Sequence, residues 1–293
     1  MASLAPPLDE SLYTTDDAEY PATDKAFIKD QTGINDPDEL KRHIITVQTK
    51  AYNLFQYRCI YSFAFTQTRI SRLPAYQHAL SLGRERDGAI LLDLGCCFGT
   101  DIRKVASDGF PVQNLIASDL RAEFWNLGHE LFRSTPATCP IAFVAGDALD
   151  PDFLQPAAPA VSPPEAPAPP LASLTRLTPL RGHVAALHTS AVFHLFFEPE
   201  QLQLARAVAS LLSPIPGSVI FGSHVGRSTK GMWQDPFPRE ENRRMFCHSP
   251  ESWAEMWGEI FPAGTVQVDA QLKPRVSGAD SDTGILMWSV TRL

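Results

Sequence analysis

Residues 91–100 read Leu91-Leu92-Asp93-Leu94-Gly95-Cys96-Cys97-Phe98-Gly99-Thr100, an apolar strand that breaks into a turn with two glycines before a helical pattern begins. Glycine lacks the Cβ that obstructs a sharp turn, so a ligand can lie directly on such a backbone. Outward from this turn the chain alternates. Short apolar strands are predicted at 90–94, 115–118, 141–144, 183–188 and 218–221, with amphipathic helices near 100–107, 123–133 and 199–212. That alternation predicts an α/β fold, a Rossmann-like doubly wound parallel sheet, whose ligands sit at the carboxyl ends of the strands beside the switch in strand order. Segments 265–272 and 284–291 are strand-like and are joined by a polar stretch without a helix, so they are predicted to pair antiparallel.

Before this unit, Asp36-Pro37-Asp38-Glu39 carries an N-cap, a proline and an N3 glutamate, and Leu40, Ile44, Val47, Ala51 and Leu54 follow at helical spacing. The organisation predicted is an acidic, irregular arm over 1–35, a helical lid over 36–85 and a ligand-binding domain over 86–293. Within 151–180 lies a proline-rich insertion, and its stretch 156–170 has seven prolines in fifteen positions, so it reads as an exposed polyproline-like spacer. The arm is read either as a solvated tail or as a flap that orders over ligand; in both cases its removal should leave the core's stability alone.

Residues 1–40 carry ten acids against two lysines, which accounts for the whole formal charge of −8 and leaves the rest of the chain neutral. No basic run offers the footprint that nucleic acid or an anionic membrane surface requires. Five cysteines, Cys59, Cys96, Cys97, Cys139 and Cys247, form neither an even framework nor a Cys/His ligand spacing, so no disulfide set and no structural metal are expected. With no basic-then-apolar leader pattern and no apolar run of bilayer length, the expectation is a soluble cytoplasmic protein, monomer or homodimer.

The spacing of the turn narrows its ligand. A dinucleotide fingerprint needs G-x-G-x-x-G, whereas position 97 is cysteine and no third glycine follows in register. Asp119 ends the second predicted strand, where a carboxylate can accept from two ribose hydroxyls, and Asp147 follows the third in Gly146-Asp147-Ala148, where acid and Ala148 amide can meet an adenine. Singly, each acid reads as a strand-end turn residue or a helix N-cap; with Asp93 they make three at successive strand ends, which is harder to dismiss as chance.

The D-x-G-x-x-x-G turn resembles that of the class I S-adenosylmethionine-dependent methyltransferases. The stretches 93–109 (DLGCCFGTDIRKVASDG), 115–132 (LIASDLRAEFWNLGHELF), 146–150 (GDALD), 189–196 (TSAVFHLF) and 219–226 (VIFGSHVG) together resemble the fungal class I methyltransferases of secondary metabolism, especially the meroterpenoid methyltransferases, over about residues 45–260. The resemblance implies methyl transfer from S-adenosylmethionine to an oxygen, carboxylate or hydroxyl, of a small terpenoid or meroterpenoid acceptor. It places Asp93, Gly95, Cys96, Cys97, Gly99, Asp119, Leu120, Asp147, Ala148 and His188 at the cofactor. Other readings are a protein or RNA methyltransferase, or a methyltransferase-like binding protein without turnover.

A hydroxyl acceptor needs a base, and His188, His194 and His224 follow the fourth and fifth predicted strands. The alternative for each is a hydrogen-bonded core histidine. Tyr57, Arg58, Tyr61 and Trp233 are the candidates to line the acceptor pocket, Arg58 as partner for a carboxylate. His188-Thr189-Ser190 offers no carboxylate cluster for a divalent cation, so a metal-independent reaction is expected.

Overall fold

The computed structural model describes residues 6–13, 22–234, 244–274 and 282–293. Seven strands form one sheet in the order β3 (Ala142–Ala145), β2 (Leu115–Asp119), β1 (Ile90–Leu94), β4 (Val184–His188), β5 (Val219–Arg227), β9 (Thr283–Arg292), β8 (Val266–Pro274). The first five are parallel, while β9 runs antiparallel to both β5 and β8. Strand order reverses between β1 and β4, which puts the switch point beside the turn after β1. A separate antiparallel pair, β6 (Gly231–Gln234) with β7 (Arg244–Cys247), was not foreseen: each strand has four residues, too few for a period-two signal.

The central strands are buried on both faces. Ile90, Leu92 and Leu94 of β1 pack with α7 (Glu198–Leu211) and α8 (Pro250–Ile260), while Leu91 packs toward α4 (Tyr76–Glu85) and α5 (Thr100–Ser107). This is why the strand reads as a continuous apolar run. β5 extends to Arg227, beyond its predicted end, because β9 pairs with it continuously from Val219 with Thr291 to Arg227 with Thr283.

Where a doubly wound fold commonly places a helix between β3 and β4, this chain places its proline-rich stretch, since proline removes the donors a helix needs. Positions 161–167 are exposed, in keeping with a spacer. The rest of the insertion is structural: Arg292 donates to the Ala160 carbonyl at 2.7 Å, and Leu171, Leu174, Leu177 and Leu180 pack into the core.

The N-terminal region departs most from expectation. α1 (Ala22–Thr32) is a helix inside the segment read as irregular, and it buries Phe27 and Ile28 with Ile34 against Leu131 and Phe132. Its Asp24, fully buried, pairs with Arg72 and accepts from the Thr68 amide at 3.2 Å. Asp16, Asp17 and Glu19 of the arm, and the connection 275–281, lie outside the described residues. α2 (Pro37–Leu54) starts as predicted, with Asp36 accepting from the Glu39 amide at 2.7 Å; Leu54, expected on its buried face, is 47% exposed. α2, the short α3 (Arg58–Tyr61) and the following turn cover α6 (Ala122–Leu131) and the glycine turn.

Deleting residues 1–35 is therefore expected to destabilise the ligand-free protein, because it removes three buried apolar side chains and the Asp24–Arg72 tether. A thermal melt of the truncated chain matching the full-length one would show instead that α1 adds nothing to the core. Among the described residues, no helix is long and apolar enough to cross a membrane.

Candidate functional site

The turn after β1 is built by its glycines and by the strand beside it. Gly95 has φ +80°, and its amide and that of Cys96 donate to the Ser118 carbonyl at 2.8 and 3.1 Å. A Cβ on Gly95 would lie 2.3 Å from Val192 Cγ2, and one on Gly99 (φ +72°) 2.5 Å from the Trp125 ring. Both positions thus need glycine for conformation and for space. Cys97 also holds a positive φ, +51°, and its amide donates to Asp119 Oδ2 at 2.8 Å.

Asp119 Oδ1 accepts from the Arg121 amide at 3.0 Å, so each carboxylate oxygen keeps a further lone pair. Burial pushes this carboxyl above its usual range, and the Arg121 and Cys97 amides oppose that rise. Leu120, next in sequence, is 57% exposed. The Asp119 carbonyl accepts from the Gly146 amide at 3.0 Å, which ties the end of β3 to the same edge. Asp147 is exposed and accepts from the Leu149 amide at 2.9 Å, while Ala148 packs partly against the core. The structure therefore gathers Asp93, Gly95, Cys97, Gly99, Asp119 and Asp147 along one set of strand ends.

Cys96 is buried beneath the turn and can offer a ligand only its backbone. Its thiol is pushed up by burial and then by Asp119 and Asp93. Cys97 is pushed up first by a hydrogen bond to Cys59 and then by burial, so both cysteines stay neutral thiols and poor nucleophiles.

The histidines separate into three environments. His188 pairs with Asp93 across β1 and β4, its Nδ1 2.8 Å from Asp93 Oδ1 and its Nε2 2.8 Å from Ser190 Oγ. Both His188 and Asp93 are only 2% exposed. His188 is thus beneath the site and cannot itself touch an acceptor. His194 is partly buried, and its Nδ1 accepts from the Val225 amide at 3.3 Å. His224 corrects the catalytic expectation. Its Nδ1 accepts from Trp288 Nε1 at 3.0 Å, and its ring is packed among Phe193, Trp253 and Trp288. Burial, followed by His194 and His248, holds it well below the ordinary histidine value, so it is a neutral core group.

His248 behaves similarly, lowered to about 4 by burial, with Lys230 adding to the fall and Glu198 opposing it. A histidine lowered in the folded state contributes stability that is complete above its unfolded value and is lost as pH falls through the folded value. Unfolding free energy from urea titrations is therefore expected to decline between about pH 6.5 and about pH 4, and His248→Asn should make the decline shallower, with His224 carrying part of what remains. An unchanged pH dependence in that variant would assign the fall elsewhere.

The candidates for the acceptor pocket also divide. Tyr57 packs on Phe55 and Phe124, and its hydroxyl is raised by burial and then by Asp119, so it stands near that acid at the strand ends. Thr100 Oγ1 donates to the Phe65 carbonyl at 2.6 Å, which seats this segment on the turn, and Gln48 Nε2 of α2 donates to the carbonyls of Ile60 at 2.9 Å and Tyr61 at 3.1 Å. Tyr61 is half-buried beside Tyr52, whereas Arg58 is exposed on α3. Trp233 lies on β6, partly buried against Val225, Met245 and Cys247. Sequence reading missed Ser190 and Ser223, which accompany His188; the only signal was their place just after predicted strands. Among the described residues no group of three or more His, Cys, Asp or Glu is arranged to hold a metal.

Comparison with known proteins identifies relatives of the chain. Residues 12–66 match the family described as the meroterpenoid methyltransferase N-terminal domain. The chain is 31% identical to methyltransferase ausD of Penicillium brasilianum over 224 residues, covering 76% of this chain and 71% of that protein. It is 31% identical to O-methyltransferase atr3 of Stereocaulon alpinum over 223 residues, covering 76% of this chain and 57% of that protein. Among solved structures it is similar to the 1,6-didemethyltoxoflavin-N1-methyltransferase of Burkholderia thailandensis, with TM-score 0.49, 13% identity, and coverage of 88% of this chain and 91% of that one. With a glycine turn and strand-end acids at the switch point of its sheet, and relatives matched across most of its length, the chain belongs to the fungal meroterpenoid methyltransferase family.

Proposed function

We propose that the protein transfers a methyl group from S-adenosylmethionine to an oxygen of a small terpenoid or meroterpenoid acceptor. The observation that carries this is the Asp119 carboxylate, fixed by the amides of Cys97 and Arg121 beside a turn that only glycine can make. Its two remaining lone pairs match the two hydroxyls of a ribose. Leu120, exposed next to it, offers apolar surface for a base to cover. The residues present therefore fit S-adenosylmethionine.

Bound there, the cofactor supplies an electrophilic methyl on a sulfonium. The protein's part is to hold the acceptor in line with it and to keep the site dry. Tyr57 and Phe65 of the segment over the turn, packed on Phe124 and Phe98, supply the dry wall. The oxygen specificity is supported by the name of the relative atr3, and the acceptor class by the family description. No feature of the site favours a protein or RNA acceptor, or a binding role without turnover.

The test is incubation with methyl-labelled S-adenosylmethionine and a panel of fungal terpenoid and phenolic acids, followed by mass spectrometry. A labelled methyl ester or ether is expected. Label on nitrogen or carbon would overturn the oxygen assignment, and cofactor binding without any product would point to a silent binding protein.

A further inference from the structure

Ser190 ends a buried chain of hydrogen bonds that the cofactor site does not use. From the interior outward, Asp93 Oδ1 meets His188 Nδ1 at 2.8 Å, and His188 Nε2 meets Ser190 Oγ at 2.8 Å. The Ser223 amide donates to the same Ser190 oxygen at 3.0 Å, and Ser223 Oγ stands farther off at 3.4 Å. Asp93 and His188 are sealed, while Ser190 and Ser223 are half-exposed at the strand ends. The loop that carries Ser190 is pinned to β5: the amides of Thr189 and Ala191 donate to the carbonyls of Phe221 at 3.0 Å and Ser223 at 2.7 Å, with Ala191 at φ +58°. A Cβ on Gly222 would lie 1.9 Å from the Thr189 carbonyl oxygen, so this close approach is specified by glycine.

The charge state of His188 fixes which way Ser190 points. A buried carboxylate paired only with a neutral imidazole would leave an uncompensated charge in the interior, which is costly. The groups that face His188 are Asp93 from β1 and Asp101 from α5, both acids, with the Phe221 ring from β5. Burial lowers this histidine, but the two carboxylates more than offset it, and its value lies above the ordinary one. An imidazolium donates from both nitrogens. Ser190 Oγ then accepts from His188 Nε2 and from the Ser223 amide, both lone pairs are taken, and its own proton is left for Ser223 Oγ at a long 3.4 Å or for an oxygen brought closer at the half-exposed strand ends.

We propose that Ser190 is the side chain that touches the acceptor, and that Asp93 and His188 hold its hydroxyl as an outward hydrogen-bond donor for an acceptor oxygen that is already anionic. The proposal rests on the methyl-transfer reading above. It makes His188 a positioning residue and not a base: no proton moves, and the donor holds the attacking oxygen in line while another of its lone pairs would form the O–CH3 bond as the CH3–S bond breaks, the electron pair staying on sulfur and neutral S-adenosylhomocysteine leaving.

Salicylate is a suitable probe because it carries an anionic carboxylate and a phenol side by side. The wild-type protein is expected to form its methyl ester. Ser190→Ala should lower kcat/KM for salicylate about 10²-fold, the cost of losing one preorganised donor, with S-adenosylmethionine affinity by calorimetry unchanged, and Ser190→Thr should recover most of it. Because the carboxylate stays ionised across the neutral range, the wild-type rate should fall as pH rises through the His188 value, and Ser190→Ala should lose that fall. A methyl ether as the main product, a rate that rises with His188 deprotonation, or full activity in Ser190→Ala would each overturn the proposal while leaving methyl transfer intact. Wild-type protein that binds the cofactor yet methylates neither salicylate nor any member of the terpenoid and phenolic acid panel would instead remove the reading on which the proposal rests.

Discussion

Gly95→Val is expected to reduce S-adenosylmethionine binding by more than about 100-fold. Two independent costs meet at this position. The backbone sits at φ +80°, which a β-branched residue adopts only with strain of about 1–3 kcal/mol. The first side-chain carbon would also lie 2.3 Å from Val192 Cγ2, so either the turn or the 189–192 loop must move. Moving the turn breaks the bonds from Gly95 and Cys96 to Ser118 and carries the Cys97 amide away from Asp119. The measurement is isothermal calorimetry on protein whose far-ultraviolet circular dichroism matches wild type. Gly88→Ala serves as a control for backbone strain alone, because Gly88 is also at positive φ but has open space around it. Near-wild-type affinity in a folded Gly95→Val protein would remove the turn from the cofactor site.

Trp253→Ala should give the largest loss of stability of any single change considered, about 3–5 kcal/mol. Trp253 is fully buried, and its ring centroid lies 4.9 Å from those of Phe193 and Trp288, 4.5 Å from His224 and 5.3 Å from His248. Truncation leaves a cavity at the centre of a cluster whose other members come from β5, α8, β9 and the turn after β4, so no single element can relax to fill it. Urea unfolding measures it, and Trp233→Ala, on the half-buried β6 pair, should cost much less. Equal losses in the two variants would show that the cluster is not the anchor that its packing indicates.

The parallel sheet, the glycine turn and the strand-end acids were legible in the sequence because each is a local matter. A buried strand needs a run of apolar residues, a turn at positive φ needs glycine, and a helix start needs its cap; Ile90–Leu94, Gly95 and Asp36 state these needs within a few positions. The antiparallel arrangement of β8 and β9 was legible for the same reason, as a connection without a helix cannot return the chain to the same edge in parallel.

What three histidines do was not legible, because a histidine's role is set by what surrounds it. His188 and His224 both follow apolar strand residues, yet one lies between two carboxylates and a serine and the other inside an aromatic cluster that opposes any charge. The partners that decide this, Asp93 for His188 and Trp288 for His224, lie 95 and 64 residues away in the chain. The acidic N-terminal segment was misread on the same ground. Its composition is that of a solvated arm, but Phe27, Ile28 and Asp24 find Phe132 and Arg72 only once the chain has folded. Local propensity determined where strands and turns form, while burial and charge, which depend on residues distant in sequence, decided what the polar groups among them can do.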